Sequence, residues 1–164
     1  VERSRGLGDV YKRQELMMAL LDRGADVNAR GKDQNTPLHV ACESGKIEVM
    51  MALLDRGADV DARGIYQYTS LHVACRWNGN IEVMMALLDR GADVNGRDKN
   101  LWTPLHHVCY NGYSEAITVL LDRGADVYAI DKDRRTSLHY ACVNGKMDSI
   151  NVLVDRRSGV YCKR

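Results

Sequence analysis

Apolar residues recur along this chain at helical spacing in short blocks, and glycines separate the blocks. Leu38, Ala41 and Cys42 lie three or four positions apart, which places them on one face of a short helix. After Gly45, residues 47–54 restart the same spacing. Gly45 suits a helix end, because glycine adopts the left-handed conformation without strain. The pattern therefore predicts two short helices joined by a tight turn.

The segments between these helix pairs have no helical period. Residues 58–68 are rich in glycine and aspartate, as a projecting, β-hairpin-like connection requires. The connection before the first helix ends at Thr36-Pro37. A threonine hydroxyl can accept from an early helical N–H, and proline fits the first helical position because its missing donor costs nothing there. Each unit thus reads as helix, turn, helix and projecting hairpin.

This unit is repeated along the chain. The motif Thr-Pro/Ser-Leu-His occurs at residues 36–39, 69–72, 103–106 and 136–139, at spacings of 33, 34 and 33 residues. The motif Leu-Leu-Asp-Arg-Gly-Ala-Asp keeps the same phase and occurs at residues 20–26, 53–59, 87–93 and 120–126. A single unit cannot bury both faces of its helices, so neighbouring units must stack. The sequence therefore predicts an all-α solenoid.

Two motifs in phase, about 33 residues apart, resemble the ankyrin repeat family, and the resemblance runs from residue 15 to about residue 157. It implies helix-turn-helix units with a β-hairpin loop, arranged in a curved, right-angled stack. It also implies a concave face that binds other proteins through the hairpin tips and the exposed side of each first helix. We use "concave face" below for these two surfaces together.

The repeat phase divides the chain into a half repeat and four full repeats. The half repeat is 15–31, and the full repeats are about 32–64, 65–98, 99–131 and 132–157. Residues 158–164 are expected to be a C-terminal tail or a truncated hairpin, and the thinned last repeat fits either a polar cap or the end of a fragment. Residues 1–14 do not follow the repeat. Because 9–14 can be back-translated into a sequence that resembles a transposon end used in sequencing libraries, we interpret 1–14 as adapter-derived or as a disordered tail.

The connections depart from the family pattern at two positions. The family carries glycine at the hairpin tip, two residues before the threonine. The tip positions here are Gln34, Gln67, Leu101 and Arg134. The family also carries aspartate five residues before the threonine. The equivalent positions here are Gly31, Gly64, Asp98 and Asp131. We therefore expect the first two hairpins to be less regular than the last two. The second repeat also has one extra residue within 76–80, between its helices, where an insertion spares both helical registers.

Composition and motifs argue against several classes of function. The 164 residues carry a formal net charge of +1, so no broad attraction to nucleic acid or anionic membrane is expected. No apolar run reaches the roughly 20 residues that cross a bilayer. The glycine-rich phosphate loops and the Gly-x-Ser-x-Gly elbow are absent from the sequence. We expect a protein that is not an enzyme, binds no cofactor, and acts in the cytoplasm or after delivery into a host cell.

Histidine, cysteine and methionine follow the repeat and are interpreted as structural. Zinc ligands lie about 2 Å from one point, whereas repeats stack roughly 8–10 Å apart, so one histidine per repeat cannot converge on a metal ion. The repeated histidines are His39, His72, His106 and His139, with His107 as an extra one. The resemblance implies that each ties the hairpin to neighbouring backbone. The repeated cysteines are Cys42, Cys75, Cys109 and Cys142, and Cys162 is irregular. Free cysteine at such positions acts as a small buried apolar group, and the methionine pairs are expected to fill gaps between helices.

Carried over by phase, the concave face predicts a partner-binding site in the second and third repeats. Both tryptophans of the chain fall there, with three tyrosines, and Trp, Tyr and Arg dominate interface hot spots. The predicted residues are Ile65, Tyr66, Tyr68, Arg76, Trp77, Lys99, Asn100, Trp102, Tyr110 and Asn111. The alternative is that these aromatic side chains only pack the hairpins. We expect a monomer that binds a folded protein. A substrate adaptor in a ubiquitin-ligase or kinase assembly and a structural spacer in a longer repeat array are the alternatives.

Overall fold

The structure, a computed structural model, describes residue 16 and residues 19–77 and 79–161, with side chains as far as residue 156. The expectations for residues 1–14 and for Cys162 lie outside these ranges. Residues 19–22 are helical. The helices that follow are α1 (Pro37–Glu43), α2 (Ile47–Asp55), α3 (Ser70–Trp77), α4 (Ile81–Asp89), α5 (Pro104–Asn111), α6 (Ser114–Asp122), α7 (Ser137–Val143) and α8 (Met147–Tyr161), with a 3-10 turn at Ile65–Gln67.

The helices form two layers. Helices α1, α3, α5 and α7 pack on one another in chain order, and α2, α4, α6 and α8 do the same in the second layer. Each first helix also packs on the second helix of its own repeat. This arrangement confirms the all-α repeat solenoid that the sequence predicts.

The core lies between the layers and is built from the same positions in every repeat. The leucine of the Thr-Pro/Ser-Leu-His motif is fully buried in the first three full repeats, at Leu38, Leu71 and Leu105. Cys42, Cys75 and Cys109 are also fully buried. Burial raises the pKa of the Cys42 thiol to about 12 and raises that of Cys75 and Cys109 further. These thiols therefore stay protonated at neutral pH, as expected of small apolar core groups.

The methionine pairs divide between core and surface. The first methionine of each described pair, Met50 or Met84, is fully buried, whereas Met51 is half-buried and Met85 is exposed. The gap-filling role thus belongs to the first member of each pair. Met17 and Met18 lie outside the described residues.

The threonine and the histidine of the repeated motif cap each first helix reciprocally. In α1, the Thr36 hydroxyl accepts from the His39 N–H, and the Thr36 N–H donates to His39 Nδ1 at 3.2 Å. Because Nδ1 accepts this bond, the ring is neutral and carries its proton on Nε2. The His39 Nε2–H then donates to the Tyr68 carbonyl of the next repeat at 2.9 Å. One side chain therefore both starts a helix and fixes the following hairpin.

The same bond to the next repeat recurs at two further histidines. His72 Nε2 donates to the Trp102 carbonyl at 3.2 Å, and His106 Nε2 donates to the Arg135 carbonyl at 3.3 Å. His39, His72 and His106 are buried, whereas His139 in the last repeat is exposed. The structural interpretation of these histidines agrees with this geometry.

The β-hairpins that the resemblance implies do not form as strand pairs in the described residues. Each connection is closed instead by one tight turn, such as the bond from Asp98 N–H to the Trp102 carbonyl at 2.9 Å. The polar groups of the tip then bond the neighbouring tip: Lys99 N–H donates to the Tyr66 carbonyl at 2.9 Å. The segments on either side of each turn are too short to form a pair of β-strands. The backbone hydrogen bonds of the tips are therefore made with the tip of the neighbouring repeat.

The extra residue of the second repeat leaves the second helix unchanged. Helix α4 has the same length and sequence as α2, whereas α3 has eight residues and α1 has seven. Gly79, with φ +55°, stands before α4 as Gly45, with φ +63°, stands before α2. A Cβ atom at Gly79 would lie 2.5 Å from the Tyr113 ring, so this turn needs glycine for space as well as for conformation. The insertion places Trp77 at the end of α3, where it is 46% exposed.

The last helix differs from expectation. Residues 158–161, expected to be a tail or truncated hairpin, continue α8 as far as Tyr161. In the preceding repeat Gly124, with φ +88°, ends the second helix, but Arg157 stands at that position in the last repeat. Without a glycine there, the chain has no left-handed stop and the helix continues.

The outer side of the stack carries a ladder of ion pairs between consecutive repeats. In each pair an arginine meets the aspartate at the end of the second helix of the preceding repeat. The first three arginines directly follow a second helix, and Arg156 lies within α8. The pairs are Arg56–Asp22, Arg90–Asp55, Arg123–Asp89 and Arg156–Asp122. All are solvent-exposed, so each contributes less than about 1 kcal/mol. None of the helices in the described part of the chain is long and apolar enough to cross a membrane.

Candidate functional site

The tip of every connection is a tight turn with a residue in the left-handed conformation two positions before the threonine. These residues are Gln34, Gln67, Leu101 and Arg134, with φ values of 60°, 63°, 64° and 58°. They stand where the family carries glycine, and a side chain in this conformation costs roughly 1–2 kcal/mol. All of them are exposed, so strain at the tips is not relieved by burial.

Replacing Leu101 with glycine is expected to raise the free energy of unfolding by about 1 kcal/mol, because glycine adopts φ near 64° without steric cost. The melting temperature should rise by about 2–4 °C in a differential scanning calorimetry scan. Leu101→Ala is the control, since alanine keeps the Cβ atom and should change little. Equal stabilisation by both variants would show that removal of an exposed apolar side chain, rather than backbone strain, is responsible.

In the third and fourth repeats a buried aspartate fixes the tip. Asp98 Oδ1 accepts from the N–H groups of Asn100 and Trp102 at 2.7 Å and 3.0 Å. Burial raises the pKa of Asp98, but the hydrogen bonds from His107 and from these two N–H groups outweigh it, so the pKa lies below its ordinary value. Asp131 Oδ1 makes the equivalent bonds to the fourth tip. Both carboxylates therefore stay ionised and act as fixed acceptors inside the turns.

A side chain on the first helix of the same repeat satisfies the second oxygen of each aspartate. His107 Nε2 donates to Asp98 Oδ2 at 3.2 Å, and the Tyr140 hydroxyl donates to Asp131 Oδ2. His107 and Tyr140 occupy the same repeat position. In the first two repeats, where glycine replaces the aspartate, this position is Val40 or Val73. In these four repeats, the aspartate and a side chain that donates to it therefore occur together or are both missing. The extra histidine of the sequence, His107, is the donor to Asp98.

The second tip is the least regular one. Tyr66 and Gln67 both have positive φ, at 59° and 63°. Gly64 N–H still closes the turn on the Tyr68 carbonyl at 2.8 Å, but no carboxylate holds the interior N–H groups. The turn is instead braced from the third repeat: Lys99 N–H bonds the Tyr66 carbonyl, and Lys99 Nζ lies 3.8 Å from the centre of the Tyr66 ring. A cation in that position is attracted by the ring face.

Tyr68 is the centre of an aromatic cluster that spans the second and third repeats. Its ring lies 5.8 Å from Tyr66, 5.9 Å from Trp77 and 5.5 Å from His107, measured between ring centres, in edge-to-face arrangements. Such contacts add about 0.5–1.5 kcal/mol each beyond burial. Tyr68 itself is buried. It therefore supports the neighbouring rings and does not present a surface of its own.

Trp102 has the same role on the third tip. Its ring lies 4.4 Å from Tyr140 and 5.7 Å from Tyr110, and its Nε1–H donates to Asp131 Oδ2 at 3.1 Å. Trp102 is half-buried, because the fourth repeat covers one side of it. The tryptophan thus joins the third tip to the fourth through a polar and an aromatic contact together.

A cleft of about 270 Å³ opens between the ends of α3 and α5. It is lined by Arg76, Trp77, His107, Tyr110 and Asn111. The floor is fixed by Asn111, whose side-chain amide donates to the Arg76 carbonyl at 2.7 Å and so satisfies the end of α3. The walls are the exposed rings of Trp77 and Tyr110.

The structure separates the predicted site residues into three groups by exposure. Exposed on the concave face are Tyr66, Arg76, Trp77, Lys99, Asn100 and Tyr110. Half-buried are Ile65, Trp102 and Asn111, and buried is Tyr68. Tyr68, Trp102 and Asn111 hold neighbouring elements in place. The predicted set omits His107, which lines the cleft and is buried.

The part of the chain that the structure describes provides no candidate metal centre. In the described residues, no group of three or more His, Cys, Asp or Glu side chains could hold a metal ion. The rings of His72 and His107 lie 5.7 Å apart between centres, but they meet edge to face. Their nitrogens bond the Trp102 carbonyl and Asp98 instead.

Comparison with protein families agrees with the fold. The family model described as "Ankyrin repeats (3 copies)" matches residues 10–98 and 90–163, so the match begins within residues 1–14, the segment expected to be adapter-derived or a disordered tail. No curated protein matches the chain. Ankyrin repeats are in general protein–protein interaction modules, and the family is typically a non-catalytic scaffold. Because the matched residues cover most of its length, this chain belongs to the ankyrin repeat family.

Proposed function

We propose that this chain is a non-enzymatic scaffold that binds a folded protein through the concave face of its second and third repeats. One observation supports this most strongly: Tyr66, Trp77 and Tyr110 are exposed by 49%, 46% and 48% on neighbouring repeats. Large aromatic side chains clustered at this exposure are typical of interface hot spots, because they bury much area on binding. We call these three residues the aromatic surface.

The aromatic surface is held in place before any partner binds. Tyr66 and Trp77 rest on the buried Tyr68, and Tyr110 rests on Trp102. Side chains that are already ordered lose little conformational entropy in a complex, which improves affinity for a given buried area. A rigid, repeat-built surface of this kind suits a folded partner rather than a segment that must be ordered on binding.

The three residues of the aromatic surface differ in burial from Tyr68 and Trp102, which pack between repeats. Tyr68 and Trp102 are covered by neighbouring repeats, and Trp102 makes a side-chain hydrogen bond, so their loss would disturb the fold. The three residues of the aromatic surface expose about half of their area and lie at the ends of the cluster. Their replacement should affect binding more than stability.

Replacing Trp77 with alanine is expected to weaken partner binding by at least about 30-fold, which corresponds to about 2 kcal/mol at a hot spot. The free energy of unfolding should fall by only about 1–2 kcal/mol, because Trp77 is half exposed but loses its edge-to-face contact with Tyr68. The partner is first isolated with the full chain as bait, and its affinity for each variant is then measured by isothermal titration calorimetry. Tyr66→Ala and Tyr110→Ala should give smaller losses in the same direction.

Tyr128→Ala is the matched control. Tyr128 is 47% exposed, as the aromatic surface is, but it lies in the outer part of a connection, away from the concave face. It should leave the affinity unchanged. If the aromatic-surface variants lose stability while affinity stays the same, these side chains only pack the hairpins, and a structural spacer becomes the better description of the chain.

A further inference from the structure

The net charge of +1 conceals an uneven distribution of charge between the two sides of the stack. On the outer side, the arginine ladder places each cation against an aspartate of the preceding repeat. On the concave face of the second to fourth repeats the exposed cations include Arg76, Lys99, Lys132 and Arg134. Among the described residues, no carboxylate lies within ion-pair distance of these four side chains.

The acidic groups of these tips do not offset the cations by direct contact. Asp98 and Asp131 are buried, and their oxygens already accept bonds from His107, Tyr140, Trp102 and the backbone of the turns. Asp133 is the exposed acid of the fourth tip. The accessible surface of the concave face is therefore predominantly cationic in the second to fourth repeats, although the chain as a whole is nearly neutral and Asp33 and Glu43 are exposed in the first repeat.

Arg76 is the cation placed best to bind a ligand. Its guanidinium carbon lies 5.0 Å from the centre of the Trp77 ring and 5.7 Å from that of Tyr68. Contact with ring faces orients a guanidinium while its N–H groups, which lie at its edge, remain suited to a bidentate carboxylate. Arg76 and Trp77 both line the cleft between α3 and α5. A carboxylate there would meet an oriented donor beside two aromatic walls.

We infer that the protein bound at this surface presents carboxylates, and that one Asp or Glu side chain enters the cleft beside Arg76 while apolar groups contact Trp77 and Tyr110. This inference rests on the proposed function and specifies the chemistry of the partner. Opposite charges across an interface select the partner and speed its association. A polynucleotide is less well suited, because phosphate binding draws on a continuous basic stripe, whereas Asp98 and Asp131 stay ionised directly beneath this surface.

The test is a nuclear magnetic resonance titration of the full ¹⁵N-labelled chain with three short peptides. The peptides have equal length and equal leucine content, and their remaining residues are glutamate in the first, glutamine in the second and lysine in the third. The two indole N–H resonances of the chain report on Trp77 and Trp102, and Trp77→Phe assigns them. The glutamate peptide should shift the Trp77 resonance and bind at least about tenfold more tightly than the glutamine peptide, with an affinity that falls as salt is added. The lysine peptide should not bind.

Arg76→Glu should abolish binding of the glutamate peptide, and Arg23→Glu is the control that changes the net charge equally. Arg23 is exposed in the outer part of the first connection, so this variant should bind as the unaltered chain does. Circular dichroism checks folding, and Lys99→Glu and Lys132→Glu extend the test if Arg76→Glu does not fold. Each of these two variants should lower the affinity for the glutamate peptide by about threefold or more.

Three results would overturn the inference. Equal binding of the glutamate and glutamine peptides would show that the surface does not recognise acidic groups. The proposed function would then be tested only by the effect of Trp77→Ala on the affinity for the partner protein. If the glutamate peptide does not shift the indole resonance of Trp77, then no acidic ligand binds in the cleft. Tighter binding of a single-stranded oligothymidylate at the same salt concentration would favour a nucleic-acid partner instead.

Discussion

Replacing His72 with leucine is expected to lower the free energy of unfolding by about 2–3 kcal/mol, one of the largest effects of any single change in this chain. His72 Nδ1 accepts from the Thr69 N–H at 3.2 Å, and Nε2 donates to the Trp102 carbonyl, so one ring satisfies a helix start and the next connection. Leucine fills a similar volume but leaves the Thr69 N–H without its acceptor. It also removes one of the two hydrogen bonds that the Trp102 carbonyl accepts, while the bond from the Asp98 N–H remains. A lost helix cap costs about 1–2 kcal/mol, and one lost hydrogen bond to a carbonyl that keeps its other donor costs about 0.5–1.5 kcal/mol. Urea denaturation followed by circular dichroism measures the sum.

The last repeat supplies the matched control. His139 caps α7 through the same contact, with the Thr136 N–H donating to Nδ1 at 3.0 Å, but the residue is exposed. His139→Leu should therefore cost only the cap, about 1 kcal/mol. His72→Gln should fall between the two leucine variants, since glutamine can keep the reciprocal cap without reaching the next repeat. Equal losses for His72→Leu and His139→Leu would show that the bond between repeats adds nothing to stability.

The parts of the fold that the sequence predicts well depend on short-range rules applied in phase. Helix starts, helix ends and the buried leucines follow from residues within one turn of one another, and the repeat confirms each of them several times. The left-handed tips at Gln34 and Leu101 could also be expected, because the family carries glycine there and backbone conformation is kept when the side chain changes. Only the local energy cost of the substitution is specific to this chain.

The parts that could not be predicted depend on contacts between repeats. Nothing in the local sequence says that Tyr68 is buried and Tyr66 exposed, because the difference comes from where His72, Trp77 and His107 place their rings. His107 looked like an isolated extra histidine for the same reason. Its partner Asp98 lies on the turn of the same repeat, and the pairing becomes visible only when aspartate and its donor are compared across all four repeats.

The end of α8 shows a third limit. The repeat phase places a tail or a truncated hairpin at residues 158–164, but position 157, which is glycine at the ends of the other second helices, is arginine here. A repeat can keep its phase while it loses the one residue that stops a helix. The repeat phase therefore predicts where a helix lies along the chain, whereas the residue after the helix determines whether the helix stops there.

Acid is expected to weaken this protein between about pH 6.5 and pH 4, before its carboxylates titrate. Burial, reinforced by the neighbouring His107, lowers the pKa of His72 from 6.5 to about 4, and burial also lowers the pKa of His39, His106 and His107. Histidines with lowered pKa are neutral in the folded chain while the unfolded chain already binds protons. Their stabilisation is therefore complete above pH 6.5 and is lost progressively as the pH falls toward the folded-state values.

The loss from His72 alone amounts to about 3 kcal/mol, since each pKa unit corresponds to about 1.4 kcal/mol. Urea midpoints measured at intervals across this range should fall steadily, and His72→Gln should flatten the curve because the variant has no proton to take up there. Asp98 and Asp131 contribute separately: their lowered pKa values mean that their stabilisation is lost only below about 3.8. A stability that stays constant down to pH 4 and then collapses would assign acid unfolding to the carboxylates and contradict the role given to the histidines. A fall that His72→Gln leaves unchanged would place the responsible proton on another residue.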